Sequence, residues 1–227
     1  YAAGWETADL DERQQRYFRR WLHEIPALVH PKRGSKLDVH HNILPATDAL
    51  SGDANLLLQQ VVPLPGGGNL YTLSPADMVL HCAAHLFRQG HYETGLRDLV
   101  DLDGLLRWAG SQPGFWKTLT DRAAQLRLGE PLYFSLRYVV RFLGTPLPED
   151  LIGRVGRFQP RWPPLPVMDR LVWRAIMPPR LDGRNAGRQV ALALLGRYPL
   201  SLMRRSILPK LERVFLPADD TSRPGLP

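Results

Sequence analysis

The stretch Ser74–Gln89, SPADMVLHCAAHLFRQ, decides the fold. Ser74 offers a side-chain oxygen to the free amides of a helix start. Pro75 takes the first helical position, where its missing N–H is harmless, and Asp77 follows in the first turn. Gly90 ends the segment. A second helix is predicted over Tyr92–Trp108, with Leu96, Leu99, Leu102 and Leu106 along one side. Phe115–Leu126 and Pro131–Leu143 read as a third and a fourth.

Upstream the pattern is different. Asp9–Ile25 predicts an amphipathic helix, with Tyr17, Trp21 and Ile25 four residues apart and Phe18 and Leu22 widening the stripe. PALVH and KLDVHHNIL then flank PKRGS, two β-rich runs around a turn that contains glycine, and this spells a hairpin. Residues 46–73 show little periodicity and read as loop, with one short helix near Ala54–Gln60. GGGN at Gly66–Asn69 is a turn and not a phosphate loop, because no Lys-Ser/Thr pair and no helix follows it directly.

The expected fold is therefore α+β: a small β-hairpin followed by a mainly helical region. Four regions are expected: 1–72 as an α/β part, 73–156 as helical, 157–216 as a basic helical part, and 217–227 as a disordered tail. Arg157–Pro166, RFQPRWPPLP, is a connector, and Val167–Ile176, Asn185–Leu195 and Pro199–Phe215 are helical by pattern.

At 227 residues and 44% hydrophobic, the chain can bury a core and is not a disordered polymer. The single Cys82 excludes an internal disulfide framework and points to a reducing, cytoplasmic setting. No apolar run approaches the roughly 18 residues of a membrane span. The charge is uneven. Residues 1–150 hold 15 basic and 17 acidic side chains and residues 151–227 hold 14 and 5, so the net +7 comes from the last third. An anionic partner would bind there, although solubility alone also explains such a surface.

Two groups of residues could carry chemistry. In KLDVHHNILP, Lys36–Pro45, strand alternation puts Asp38, His40 and Asn42 on one face and Leu37, Val39 and His41 on the other. An acid, an imidazole and an amide on one face form either wet surface or the edge of a metal-dependent site. The second group is His81 and His85, one helical turn apart, followed by Arg97, Asp98 and Asp101 on the next helix. A His/Asp metal phosphohydrolase is one reading of it, but such an enzyme needs an adjacent His-Asp dipeptide and the chain has none. The plainer reading is a polar clasp in which His81 or His85 bonds Asp98 or Asp101. Cys82, on the same helix, reads as a buried structural thiol with no base placed to activate it.

The order LHEIP, LDVHHNILP, LSPADMVLHCAAHLF, GLRDLVDLDGLLR resembles the uncharacterised nucleotidyltransferase family of bacteria, within the DNA polymerase beta-like nucleotidyltransferase superfamily. The matching positions are Leu37, Asp38, Val39 and His40; Leu73, Ser74, Pro75, Asp77, His81 and His85; and Leu96, Arg97, Asp98 and Asp101. They lie within about residues 20–145. The resemblance implies transfer of a nucleoside monophosphate from an NTP to an acceptor it does not identify. It also implies two Mg2+ ions held by three carboxylates on a small sheet that includes the hairpin. Two of the three belong to a Gly-Ser…Asp-x-Asp/Glu motif, and Asp38 matches the third, as a metal ligand and catalytic residue. Before Asp38 there is no Gly-Ser followed by Asp-x-Asp or Asp-x-Glu. Asp9 and Asp11 in DLDE open a helix and follow no Gly-Ser turn. The expectation is thus the C-terminal part of a longer enzyme, inactive by itself, which also fits a chain beginning at Tyr1. The alternative from another class is a non-catalytic helical module that binds an anionic partner.

Overall fold

A computed structural model describes residues 3–7, 10–89, 94–161 and 164–176. All fall within one compact unit, Tyr1–Arg197. The expected helices Asn185–Leu195 and Pro199–Phe215 and the tail lie outside the described residues.

Small antiparallel strands precede a helical body, as the α+β reading expected. Strands β1 (Glu6–Thr7), β2 (Leu28–His30) and β3 (Ser35–Leu37) form one antiparallel sheet in that order. Leu28 faces Leu37, Val29 faces Lys36 and His30 faces Ser35. The hairpin closes through PKRG. Gly34 takes φ +63°, and both its amide and that of Arg33 donate to the His30 carbonyl. Helix α1 (Glu12–Trp21) joins β1 to β2 and is shorter than its periodicity suggested. Asp11 and Gln14 form a reciprocal cap at its start, and Leu22 is already extended at its end. A short helix, α2 (Asn55–Leu58), follows as expected. The segment read as loop beyond it holds a further hairpin, β4 (Val62–Pro63) and β5 (Tyr71–Thr72), closed by the GGGN turn. Pairs of only two residues leave no alternation to read.

The helical body is built around α3 (Pro75–Ala84), which is buried nearly all round through Ala76, Asp77, Val79, Leu80, Ala83 and Ala84. Ser74 caps it as predicted, accepting from the Asp77 amide at 3.3 Å. It continues into one π turn, His85–Gln89, where the helix widens and three successive residues, Leu86, Phe87 and Arg88, are buried. Around α3 pack α4 (Gly95–Gly110), α5 (Phe115–Gln125) and α6 (Gly129–Leu143). On α4 the buried leucines are Leu99, Leu102 and Leu106, while Leu96 is exposed. Helix α6 presents Phe134, Tyr138 and Phe142 at spacings of four, stacked with centroids 6.1 and 5.7 Å apart. Phe87 packs against the first two, and Trp173 of α8 (Leu165–Ile176) meets Phe142. Between them lies α7 (Glu149–Gly156), with Leu151 and Val155 buried.

Two buried ion pairs tie this body together. Arg122 of α5 clamps Asp77 with Nε to Oδ1 at 2.9 Å and Nη2 to Oδ2 at 2.8 Å. It also donates to the Leu56 carbonyl and to Gln125 Oε1. Asp77 is 0% exposed. Arg88 of the π turn clamps Asp48 in the same way, at 3.0 and 2.7 Å, which pins the loop before α2. Both carboxylates are removed from solvent and held by their arginines, and Asp48 also accepts from the Leu50 amide at 2.8 Å.

We expect Asp77→Ala and Arg122→Ala each to lower unfolding free energy by about 3–5 kcal/mol, because either leaves a buried charge unpaired. The apolar double variant Asp77→Leu/Arg122→Met should recover most of that loss in urea titrations. A third pair makes stability depend on pH. Asp169 of α8 accepts from Arg137 Nε and Nη2 of α6 at 2.8 and 2.7 Å, and Arg137 holds its carboxyl below the usual range. The native carboxyl therefore binds its proton less readily than the unfolded one. Its stabilisation is complete above the unfolded value of about 3.9 and is lost as pH falls through the lower native value. Asp169→Asn should lower the urea midpoint at neutral pH, and the difference from the parent chain should vanish in strong acid.

Candidate functional site

The chain leaves α1 extended and meets the end of the hairpin a second time. The Ile25 amide donates to the Val39 carbonyl at 3.0 Å, and the His41 and Asn42 amides donate to the His23 carbonyl at 2.9 and 3.2 Å. Glu24 and His40 are thereby antiparallel bridge partners. This pairing continues the hairpin beyond β3 by a different route from the regular ladder.

Side chains converge on this bridge. His40 Nε2 lies 3.2 Å from Glu24 Oε2. The His23 and His40 rings meet edge to face, with centroids 5.0 Å apart. His23, Glu24 and His40 each offer one ligand atom, and the three atoms lie within 4.8 Å of one another. Burial, assisted by His40, His41, His85 and His81, pushes the His23 pKa down to about 4. His81 is lowered too, by burial first and then by His85 and His40. Histidines from the end of α1, the end of the hairpin and α3 thus share one electrostatic neighbourhood. None of this was visible as spacing: His23 and Glu24 stand in the LHEIP motif, and only the bridge register sets them opposite His40.

Asp38 stands just outside β3, which ends at Leu37, so the strand position expected for it is corrected by one residue. Its carboxylate is 49% exposed and lies 3.5 Å from Lys36 Nζ, a solvent-screened contact of little energetic weight. The apolar side chains beside it, Leu37 and Val39, are exposed as well, as is Val29 of β2. Among the described residues, Asp38 belongs to no group of three convergent ligands.

The helical group separates into two. His85 Nδ1 lies 3.6 Å from Asp98 Oδ2, an ion-pair distance when the imidazole is protonated, and the same oxygen accepts from Thr94 at 3.2 Å. Asp98 is largely buried at the start of α4, where a negative charge also suits the helix dipole. Arg97 and Asp101 instead pair with each other at 3.9 Å on the exposed side. A separation of three residues from Asp98 to Asp101 was too coarse to tell these two sides apart. Among the described residues, no group of three metal-sized ligands includes His81, His85, Asp98 or Asp101. Cys82 is partly exposed against the core. Burial, with Asp98 and Asp101 nearby, raises its thiol to about 11, so it stays protonated and is a poor nucleophile. A separate cleft of about 300 Å³ between α6 and α7, lined by Leu136, Val140, Leu151 and Ile152 among others, has no carboxylate in its lining.

Short antiparallel strands leading into a helical body, with an acid at the strand end and a histidine cluster beside it, define the class: an α+β protein with a polar junction between its two parts. The chain belongs to the uncharacterised nucleotidyltransferase family, whose model, described as "Uncharacterised nucleotidyltransferase", matches residues 1–144. The match takes in α1 and β1 as well as the motifs from LHEIP onward. No curated protein and no solved structure gives a match. Membership supports a nucleotidyltransferase-like function in general, with a nucleotide as substrate and the divalent metal such enzymes use. Among the described residues, no helix is long and apolar enough to cross a membrane.

If the His85–Asp98 contact clasps α3 to α4, Asp98→Ala should lower stability by about 1–3 kcal/mol, the penalty for polar partners left unsatisfied. Arg97→Ala, on the exposed side, should change it by no more than about 0.5 kcal/mol. Paired thermal and urea unfolding of the two variants checks the contrast.

Proposed function

We propose that this chain is the part of a Mg2+-dependent nucleotidyltransferase that carries the third metal-binding carboxylate, Asp38, and the helical body that supports it. The observation that carries the reading is the family match over residues 1–144 together with an exposed Asp38 at the hairpin's end. Two Mg2+ ions would neutralise the triphosphate, activate the acceptor hydroxyl and stabilise departing pyrophosphate. They need several oxygen ligands, and the described residues do not assemble such a set. No catalytic step is therefore assigned to these residues alone. Asp38 contributes one ligand, and the other carboxylates come from a segment beyond the described residues. The exposed Val29, Leu37 and Val39 fit this reading, because further strands laid on the hairpin would cover them.

The test is turnover, followed as pyrophosphate release or as labelled nucleotide transferred to acceptors in a cell extract. This chain with Mg2+ and any NTP should give none. A version extended upstream to include a Gly-Ser…Asp-x-Asp segment should be active. Asp38→Ala in that version should lower the rate by at least about a hundredfold, since even outer partners of metal ligands are worth 10- to 100-fold. Turnover by this chain alone, or full activity of the extended variant, overturns the assignment of Asp38. Inactivity of every version would favour the non-catalytic module, with the basic residues 151–227 as its anion-binding part.

A further inference from the structure

We propose that His23, Glu24 and His40 bind one divalent transition-metal ion, with Zn2+ the best match, at a site separate from any Mg2+ bound through Asp38. The three ligand atoms already lie within 4.8 Å of one another. Ligands of a tetrahedral Zn2+ at about 2.0–2.2 Å from the metal stand about 3.3–3.5 Å apart. His40 Nε2 and Glu24 Oε2 are 3.2 Å apart, within about 0.1 Å of that spacing. His40 and Glu24 are both partly exposed, at 38% and 34%, which leaves their side chains room to adjust around an ion.

The backbone beneath the ligands is fixed. His23 and Glu24 are held opposite His40 and His41 by the Ile25–Val39 and His41–His23 hydrogen bonds, so the ligands are gathered before any metal arrives. Two imidazoles and one carboxylate suit a borderline cation. Mg2+ prefers oxygen alone and keeps its waters, so this set selects against it. Three protein ligands leave a fourth position for water or an incoming oxygen, the arrangement of an open zinc site rather than a closed structural one. A bound ion would join the end of α1 to the end of the hairpin, two segments otherwise connected by short backbone pairings. It would stabilise the native chain according to its concentration over Kd.

The experiment uses the untagged chain, stripped with chelator and titrated with Zn2+ by calorimetry, then with Co2+ as a spectroscopic stand-in. One equivalent should bind with a Kd at or below the micromolar range, and Co2+ should develop the intense visible bands of a four-coordinate site. His40→Ala and Glu24→Gln should each weaken binding at least about tenfold while leaving far-ultraviolet circular dichroism unchanged, as both side chains are partly exposed. His85→Ala, which removes one member of the i,i+4 histidine pair on the neighbouring helix, should retain the site. A large excess of Mg2+ should not displace the metal. Absence of saturable binding overturns the proposal. So does affinity unchanged in His40→Ala and Glu24→Gln, affinity lost only in His85→Ala, or ready displacement by Mg2+. None of these readouts involves nucleotidyl transfer, so their failure leaves the role of Asp38 untouched, and the converse also holds.

Discussion

The buried pair between Asp77 and Arg122 is the constraint on which the rest of the structure depends. Asp77 stands in the first turn of the central helix with no exposed surface, and Arg122 reaches it from α5 while also holding the Leu56 carbonyl. One guanidinium thus fixes three things: the start of α3, the rotation of α5, and the position of α2. A charge in that place is tolerable only when the partner arrives in one geometry, because the interior offers no water to compensate for a poor fit. Arg88 and Asp48 repeat the device at the other end of the same helix, at the π turn. The helical body is therefore specified by direction-dependent contacts at both ends of α3, while its apolar contacts with α4, α5 and α6 supply the non-directional burial.

The N-terminal part is built on a different principle. Its strands are two or three residues long, and its sheet leaves Val29, Leu37 and Val39 exposed. Few apolar contacts hold it in place, so hydrogen-bond register and polar side chains matter more. The Glu24–His40 bridge and the histidines gathered near it fall at this junction. Burial and mutual proximity keep His23 neutral far below the usual pH of imidazole titration, and a neutral imidazole has a lone pair to offer. Asp38 stands a short way along the same strand end, with an exposed carboxylate. These polar groups therefore lie on segments held by short backbone pairings, ahead of the buried helical body.

Much of this was legible in local signals. Ser74 and Pro75 marked the start of α3 because a capping oxygen and a residue lacking N–H are local requirements of a helix start. PKRG marked the hairpin because Gly34 had to adopt a positive φ. Other elements carried weaker signals. Helix α5 ends at Gln125, within one residue of the expected Leu126, and the chain leaves it through Arg127 at φ +61° rather than through a glycine. Helix α7 follows Pro148 in a stretch too short for periodicity to show. Asp77 looked like a first-turn acid, and its pairing with a residue 45 positions away is invisible to any window along the chain.

The amino-acid sequence by itself determined the α+β order, the capped start of α3, the hairpin turn and the family, because caps, turns, periodicities and ordered motifs are properties of neighbouring residues. It also singled out Asp38, His81, His85 and Asp98, since motif positions are counted along the chain. Only the tertiary structure decided how those residues are grouped. It separated Asp98, facing His85, from Asp101, facing Arg97 and solvent, because three residues along a helix turn the side chain by most of a revolution but not all of it. It ended β3 at Leu37, just before Asp38, and set His40 rather than Asp38 opposite Glu24. And it brought His23 and Glu24 onto His40, a convergence set by strand register between distant segments, which no local pattern encodes.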